Sequence, residues 1–267
     1  MRPSTFTALA VIITMLSGVA GAVTAAASFV YTTKKIEHWD PTCPPHPDAF
    51  TCPHIAFTYP VIEEAPDPAT ATAINQAIAD FLLTSIGEPR KSASIDEAIT
   101  AFWKGYQEYR RIGGTDRAYW EDRTVTILYQ SDRIISLNFV LSFATGGLHP
   151  QYTSTFTCFN ALTGARISLD DVLVPGYEPQ LTQIAERKFR TVKGIEPGRS
   201  LDDAGYVFFK NHTFAFTHNF WIGPAGLTFF YNLYEIAPYS MGTTELLLTY
   251  SEIRDLIAPD GLLGPMR

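Results

Sequence analysis

The stretch Gly146–Leu173, GGLHPQYTSTFTCFNALTGARISLDDVL, constrains the fold more than any other part of the chain. Without a gap it strings together a glycine turn, a strand of alternating character, a tight turn and a helix start. Gly146, Gly147 and Pro150 turn the chain, Thr153–Phe159 reads as the strand, and Ala161-Leu162-Thr163-Gly164 makes the next turn. Ser168 then caps a helical turn at Leu169–Leu173, so Gly146, Gly147 and Gly164, with Gly242 further on, are read as structural turns. A strand bounded this way needs neighbours. Upstream, Val125, Ile127 and Tyr129 alternate, Ser131-Asp132 turns, and Ile135, Leu137, Phe139, Leu141 and Phe143 recur with period two over Ile134–Ala144. Three consecutive strands therefore form an antiparallel meander.

Helical spacing surrounds the meander. Asp67-Pro68 starts a helix with Ile74, Ala77, Ile78, Phe81 and Leu82 on one side, and Ser94 with Glu97 forms a capping box for a second helix running to about Arg111, stopped by Gly113-Gly114. Trp103 and Tyr109 could stack on sugars, but aromatic residues on such a helix more often pack it against a sheet. A third helix is read at Glu178–Val192. Ile55–Tyr59 reads as a short strand ending at Pro60, 206–222 as aromatic and strand-like, 223–226 as a turn, Leu227–Tyr231 and Glu245–Thr249 as strands, and Tyr250–Ile257 as a closing helix. Strands and helices mix without βαβ alternation, which gives an α+β fold: an antiparallel β-sheet packed against several helices. With 267 residues and 46% hydrophobic content, one compact unit, or two intimately packed halves, is expected.

The first 27 residues read differently. Arg2 precedes an apolar run from Ala8 to Val23, and small residues follow up to Ala27, the pattern of a secretory signal peptide. An uncleaved membrane anchor is the competing reading, because weakly apolar residues continue to Tyr31. The short apolar part and its glycines favour cleavage and an exported, periplasmic or extracellular protein. Cleavage removes one positive charge, Arg2, and no negative one, so the net charge of −7 becomes −8. Such a surface disfavours nucleic acid and anionic lipid and favours cationic partners.

The Pro-rich segment 28–53 holds two of the three cysteines, Cys43 and Cys52. In an oxidising compartment they form a disulfide, worth about 2.5–3 kcal/mol in the chain-entropy model. A metal site from His38, Cys43, His46, Cys52 and His54 is the alternative, but no knuckle spacing is present and the prolines stiffen the loop. His212 and His218 would stand about 20 Å apart in an extended strand at ~3.3 Å per residue, too far to share an ion. Cys158 falls mid-strand and reads as a buried structural thiol, and Asp170-Asp171 as amide caps at a helix start rather than a catalytic pair. No G-x-S-x-G, Walker loop, H-E-x-x-H or G-x-G-x-x-G occurs. No catalytic residue, metal ligand or cofactor is therefore assigned. Tyr234-Glu235-Ile236-Ala237-Pro238-Tyr239 differs from all of these, since a long aromatic loop stiffened by Pro suits recognition of a partner. Tyr234, Glu235, Pro238 and Tyr239 are the candidate partner-binding residues. The alternative is that Glu235 holds backbone amides and Tyr239 packs on the sheet.

Gly146–Leu173, together with LTFFYNLYEIAPYSMGTTELLLTYSEIRDLI, closely resembles the exported domain of RsiV-like and PdaC-like proteins, the family DUF3298. Residues 54–145 are similar to its partner DUF4163, leaving 146–258 as the DUF3298-like part and 259–267 as a C-terminal tail. The most specific pieces are Gly146-Gly147 with His149, Leu162-Thr163-Gly164 leading to Leu169, Asp171 and Leu173, and Tyr234–Tyr239 with Gly242. The resemblance implies an α+β fold. It also implies either a lysozyme-binding receptor, as in RsiV-like anti-sigma factors, or a non-catalytic companion of a polysaccharide deacetylase, as in PdaC-like proteins. This sequence shows neither an anti-sigma segment before its apolar stretch nor a deacetylase after it. The expectation is an exported, non-enzymatic binding module of the cell envelope, recognising a lysozyme-like muramidase or a peptidoglycan fragment. A wall-active hydrolase or deacetylase accessory, or a structural envelope protein, is the alternative.

Overall fold

The computed structural model describes residues 29–44, 52–87, 90–114, 119–147 and 149–267. The expected signal peptide, 1–27, lies outside them. A six-stranded sheet takes its strands in sequence order: β1 Val30–Trp39, β2 His54–Glu64, β3 Tyr119–Gln130, β4 Ile134–Thr145, β5 Gln151–Asn160 and β6 Arg166–Ile167. The expected meander is β3–β4–β5. One pairing corrects the antiparallel reading: β2 and β3 run parallel, His54–Thr58 against Trp120–Thr124. The reason is the connection between them. Helices α1 Pro68–Leu83 and α2 Ile95–Arg111 carry the chain across one face and return it to the end from which it left.

Both helices start where their capping residues dictate. Asp67 accepts a hydrogen bond from the Ala69 amide at 2.7 Å with Pro68 in the first turn, and Ser94 Oγ accepts from the Glu97 amide at 3.2 Å. Glu97 reaches one residue beyond the expected box and accepts from the Ala93 amide at 2.7 Å. Their inner stripes, Ile74, Ile78 and Leu82 with Ile99 and Phe102, pack on Ile135, Leu137 and Phe139 of β4. The opposite face of the sheet is covered as well. There a three-stranded antiparallel sheet, β7 Phe220–Ile222, β8 Gly226–Tyr231 and β9 Thr244–Thr249, lies against β4 and β5, with α3 Glu178–Lys193 packed beside it. Successive residues Ile134 to Leu137 are therefore all buried, odd positions under the helices and even ones under the second sheet. Ser136, on the second face, donates to the Ile222 carbonyl at 2.8 Å.

Three departures from the sequence reading have local causes. β2 runs on past Pro60 to Glu64 because β1, unforeseen in the Pro-rich segment, pairs along its whole length. Only Phe220–Ile222 of 206–222 is strand. Tyr206, Phe209 and Phe214 instead wrap around Phe189 of α3, an aromatic cluster with no periodicity to display. The expected closing helix at Tyr250–Ile257 is reduced to one 3-10 turn, Arg254–Leu256, because the chain is drawn into extended pairing. Val174 N donates to Leu256 O at 2.8 Å and Ala258 N to Val172 O at 3.0 Å. Beyond it, Leu263 of the presumed tail is buried in the core.

Where β2 and β5 run on without a neighbouring strand, asparagine side chains take its place. β2 leaves β3 after Thr58, and there Asn75 of α1 binds both the amide and the carbonyl of Ile62, at 2.9 and 2.8 Å. β5 meets β6 only at Cys158 and Phe159. Its remaining outer edge is held by Asn232, which binds the Ser154 amide (2.7 Å) and carbonyl (3.0 Å), and by Asn219, which takes the Phe156 amide (2.9 Å) and donates to Ser154 O (2.8 Å). A carboxamide offers the same donor and acceptor as a peptide group, so it closes an open edge without another strand.

The β1–β2 end is closed by the Cys43–Cys52 disulfide, paired as expected, with a Cα separation of 6.0 Å. Beside it His54 is buried and stacked on Trp39, ring centroids 4.0 Å apart. Its Nδ1 lies 2.9 Å from the Cys52 carbonyl and its Nε2 3.0 Å from Asp122 Oδ1, so both partners are acceptors and the imidazolium satisfies both. Burial pushes the His54 pKa down. The Asp122 and Cys52 hydrogen bonds and the charges of Asp122 and Glu37 outweigh it and hold the value above 6.5.

Two outcomes are expected. Asn219→Ala should lower stability by about 2–3 kcal/mol, since the Phe156 amide loses its partner, with the urea m-value unchanged. A loss below ~0.5 kcal/mol would mean that water replaces the side chain fully. The His54 contribution is fully present below its unfolded-state pKa and falls as pH rises through its raised folded value, so Asp122→Asn should destabilise more in mild acid than in alkali. Unfolding curves for both proteins across that range read the difference directly.

Candidate functional site

The loop 232–243 joins β8 to β9, and its course is set from within. Ile236 and Ala237 are buried in the core, the Phe208 amide donates to Ile236 O at 3.2 Å, and Glu235 accepts from the Asn232 amide at 2.8 Å. Glu235 thus does what the alternative reading allowed. Its carboxylate holds a backbone amide while its side chain remains exposed. Pro238 leads into a 3-10 turn, Tyr239–Met241, that ends at Gly242, φ 70°. With Ile236 and Ala237 fixed inward, the residues on either side, Tyr234 and Tyr239, are carried outward.

They meet His149, from the turn between β4 and β5. The His149 ring stacks on Tyr239 with centroids 3.9 Å apart, its Nε2 lies 3.2 Å from the Tyr234 hydroxyl, and the Tyr239 hydroxyl donates to the Pro150 carbonyl at 3.3 Å. Two segments about 85 positions apart in sequence therefore build one surface, and the two motifs singled out in the sequence, Gly146-Gly147-His149 and Tyr234–Tyr239, are spatial neighbours. Beside it is a shallow cleft of about 270 Å³ lined by Phe143, Thr145, Gln151 and Tyr234 among others. Tyr234 is 47% exposed and has φ +63°, the left-handed region that costs a residue with a Cβ about 1 kcal/mol. Its strain is maintained by the anchors on both sides.

Gly146 fixes the other half of the surface. Its φ is +86°, and a Cβ there would lie 2.3 Å from the ring of Tyr109 on α2. Gly164 (φ +70°) also approaches α1, less closely, its Cβ position 3.0 Å from Thr70 Cα, whereas Gly147 does not have positive φ and a Cβ there would meet only the His149 carbonyl oxygen, at an ordinary 3.9 Å.

The other candidates fall elsewhere. Cys158 is buried with its thiol 3.2 Å from Ser136 Oγ, and burial pushes its pKa up to about 11, which leaves it unreactive. Asp171 accepts from the Ser168 amide and hydroxyl at 2.7 and 2.6 Å, and those bonds hold its pKa below the usual carboxylate value. His212 pairs with Asp202 at 2.6 Å, and its segment is not the extended strand assumed for it. Among the described residues no three His, Cys, Asp or Glu side chains are placed to share a metal ion. The sequence reading passed over one buried pair, Glu121 and Arg123, on the helix-facing side of β3. Its signal was present: Tyr119, Glu121, Arg123 and Val125 continue the alternation upstream of Val125, placing two charges on an apolar face.

The architecture is shared with solved structures. A DUF3298 family member from Bacteroides fragilis superposes with TM-score 0.72 at 20% identity, covering 91% of this chain and 98% of that one. A DUF3298 family protein from Pseudomonas aeruginosa gives 0.64 at 18% identity, covering 88% and 96%. At those identities the likeness shows a common two-sheet α+β fold. In sequence, residues 170–251 match the family described as Protein of unknown function (DUF3298). The match takes in Tyr234–Tyr239 and starts later than the expected 146, so His149 stands outside it. No curated protein matches the chain.

Gly146→Ala should destabilise the protein by about 1–3 kcal/mol, through both the left-handed backbone and the approach to Tyr109. Thermal unfolding measures it, and an unchanged Tm would show that the turn and α2 can separate freely.

Proposed function

We propose that this protein is an exported, non-enzymatic binding module of the cell envelope, and that the Tyr234–Tyr239 surface with His149 recognises a lysozyme-like muramidase or a peptidoglycan fragment. One observation carries the reading: aromatic side chains from two distant segments meet on the surface and are held there by buried anchors, one of them in a strained backbone conformation. Rigid aromatic groups of this kind contribute most of the energy in recognition surfaces and lose little entropy on binding. The Cys43–Cys52 disulfide supports export, since such bonds persist in oxidising compartments. Among the described residues no helix is long and apolar enough to cross a membrane. In this reading residues 54–145 are the DUF4163-like part. The net charge, −7 for the whole sequence and −8 once residues 1–27 with Arg2 are removed, favours a cationic partner and makes association salt-sensitive.

Calorimetric titration with a basic lysozyme at low and moderate salt, and with a disaccharide-peptide from peptidoglycan, tests the proposal. Tyr239→Ala should weaken binding roughly tenfold or more, consistent with loss of an aromatic anchor. Glu235→Ala should weaken it less, by loosening the loop. The absence of a complex with either probe at low salt would sink the reading. Release of acetate or muropeptides from peptidoglycan would replace it with an enzymatic one.

A further inference from the structure

The helix-facing side of β3 runs Tyr119, Glu121, Arg123, Val125, and its first and last members belong to the core beneath α1 and α2. Between them Glu121 is 9% exposed and Arg123 5%. The pair is joined by a single hydrogen bond, Arg123 Nε to Glu121 Oε1 at 2.5 Å. Arg123 Nη1 donates to the Phe81 carbonyl, and the guanidinium lies over the Phe81 ring, 5.7 Å from its centroid. Arg123 Nη2 and Glu121 Oε2 hydrogen-bond to no described residue. An ion pair serving cohesion alone gains most when it closes as a fork with both oxygens engaged, because desolvation is otherwise poorly compensated. Here the open edge of the guanidinium and the open carboxylate oxygen belong to residues lining a cleft of about 320 Å³, whose walls also include Leu82, Ala98, Phe102 and the buried Ser92.

We propose that this cleft is a binding site for a small zwitterion, an α-amino acid with a short aliphatic side chain. Its carboxylate meets Arg123 Nη2, its ammonium meets Glu121 Oε2, and its side chain lies against Leu82 and Phe102. The charges of pair and ligand then alternate. A lone anion or a lone cation would instead leave one member of the largely buried ion pair facing an unbalanced charge, which is disfavoured. At about 320 Å³ the cleft has room for an amino acid as large as leucine.

Titrating the full protein with both enantiomers of alanine, valine and leucine, followed by calorimetry and by the Arg123 Nε–H resonance, tests the assignment. Expected are saturable heat and a shifted resonance for at least one amino acid. Propionate and propylamine, each with one charge, should bind roughly tenfold or more weakly, a gap of about 1.4 kcal/mol or more. Two variants reach the site differently: Glu121→Gln removes the ammonium partner, and Ala98→Leu fills the cleft while leaving the ion pair whole. Either should weaken binding by roughly tenfold or more, and Ala98→Leu decides the matter if Glu121→Gln fails to fold. Tyr239→Ala should leave amino-acid binding unchanged, which separates this site from the aromatic surface. No saturable response to any amino acid, full affinity in a folded Ala98→Leu protein, or acetamide binding as well as alanine would each overturn the proposal.

Discussion

An unpaired strand edge inside a packed protein is untenable, because each peptide group removed from water without a partner costs roughly 1–3 kcal/mol. This chain creates such edges twice, where β2 leaves β3 and where β5 outruns the short β6. Asn75, Asn219 and Asn232 resolve both by presenting carboxamides as substitute peptide groups. Much else depends on that solution. Asn219 stands just before β7 and Asn232 just after β8, so the bonds that seal β5 also fix the second sheet on the first. Asn232 is also the first residue of the loop bearing Tyr234 and Tyr239. The candidate surface is held in register with His149 by the same interaction.

The parts of the fold legible in the sequence are those where one residue type leads to one outcome. Asp67-Pro68 and Ser94 start helices because a capping oxygen and a missing N–H leave few alternatives. The β3–β5 meander shows because period two survives in Ile135, Leu137 and Phe139 even though β4 is buried on both faces. The parallel β2–β3 pairing was not visible, since register between distant strands is decided by the helical connection and not by either strand's own pattern. β1 was hidden for a related reason: as an edge strand with nearly every residue exposed, it carries no hydrophobic period. The closing helix was overestimated because local propensity at Tyr250–Ile257 loses to pairing with Val172 and Val174, which no local window contains.

The candidate surface was legible in half. Tyr234, Glu235, Pro238 and Tyr239 stood out as a stiff aromatic loop, and the structure divides their tasks, with Glu235 turned to its own backbone and the two tyrosines outward. That His149 joins them could be learned only from the fold. Glu121 and Arg123 were overlooked because charged residues in a strand are ordinarily read as its solvated face, and only the placement of α1 and α2 shows which face is solvated.

The parallel β2–β3 pair also bears on the order in which the molecule assembles. The hairpins of β3, β4 and β5 close short loops, whereas His54–Thr58 can find Trp120–Thr124 only after the segment containing α1 and α2 has collapsed between them. Closing that long loop carries an entropic penalty that contacts repay only once both helices are seated. The β1–β2 ribbon is thus the natural last arrival of the folding reaction.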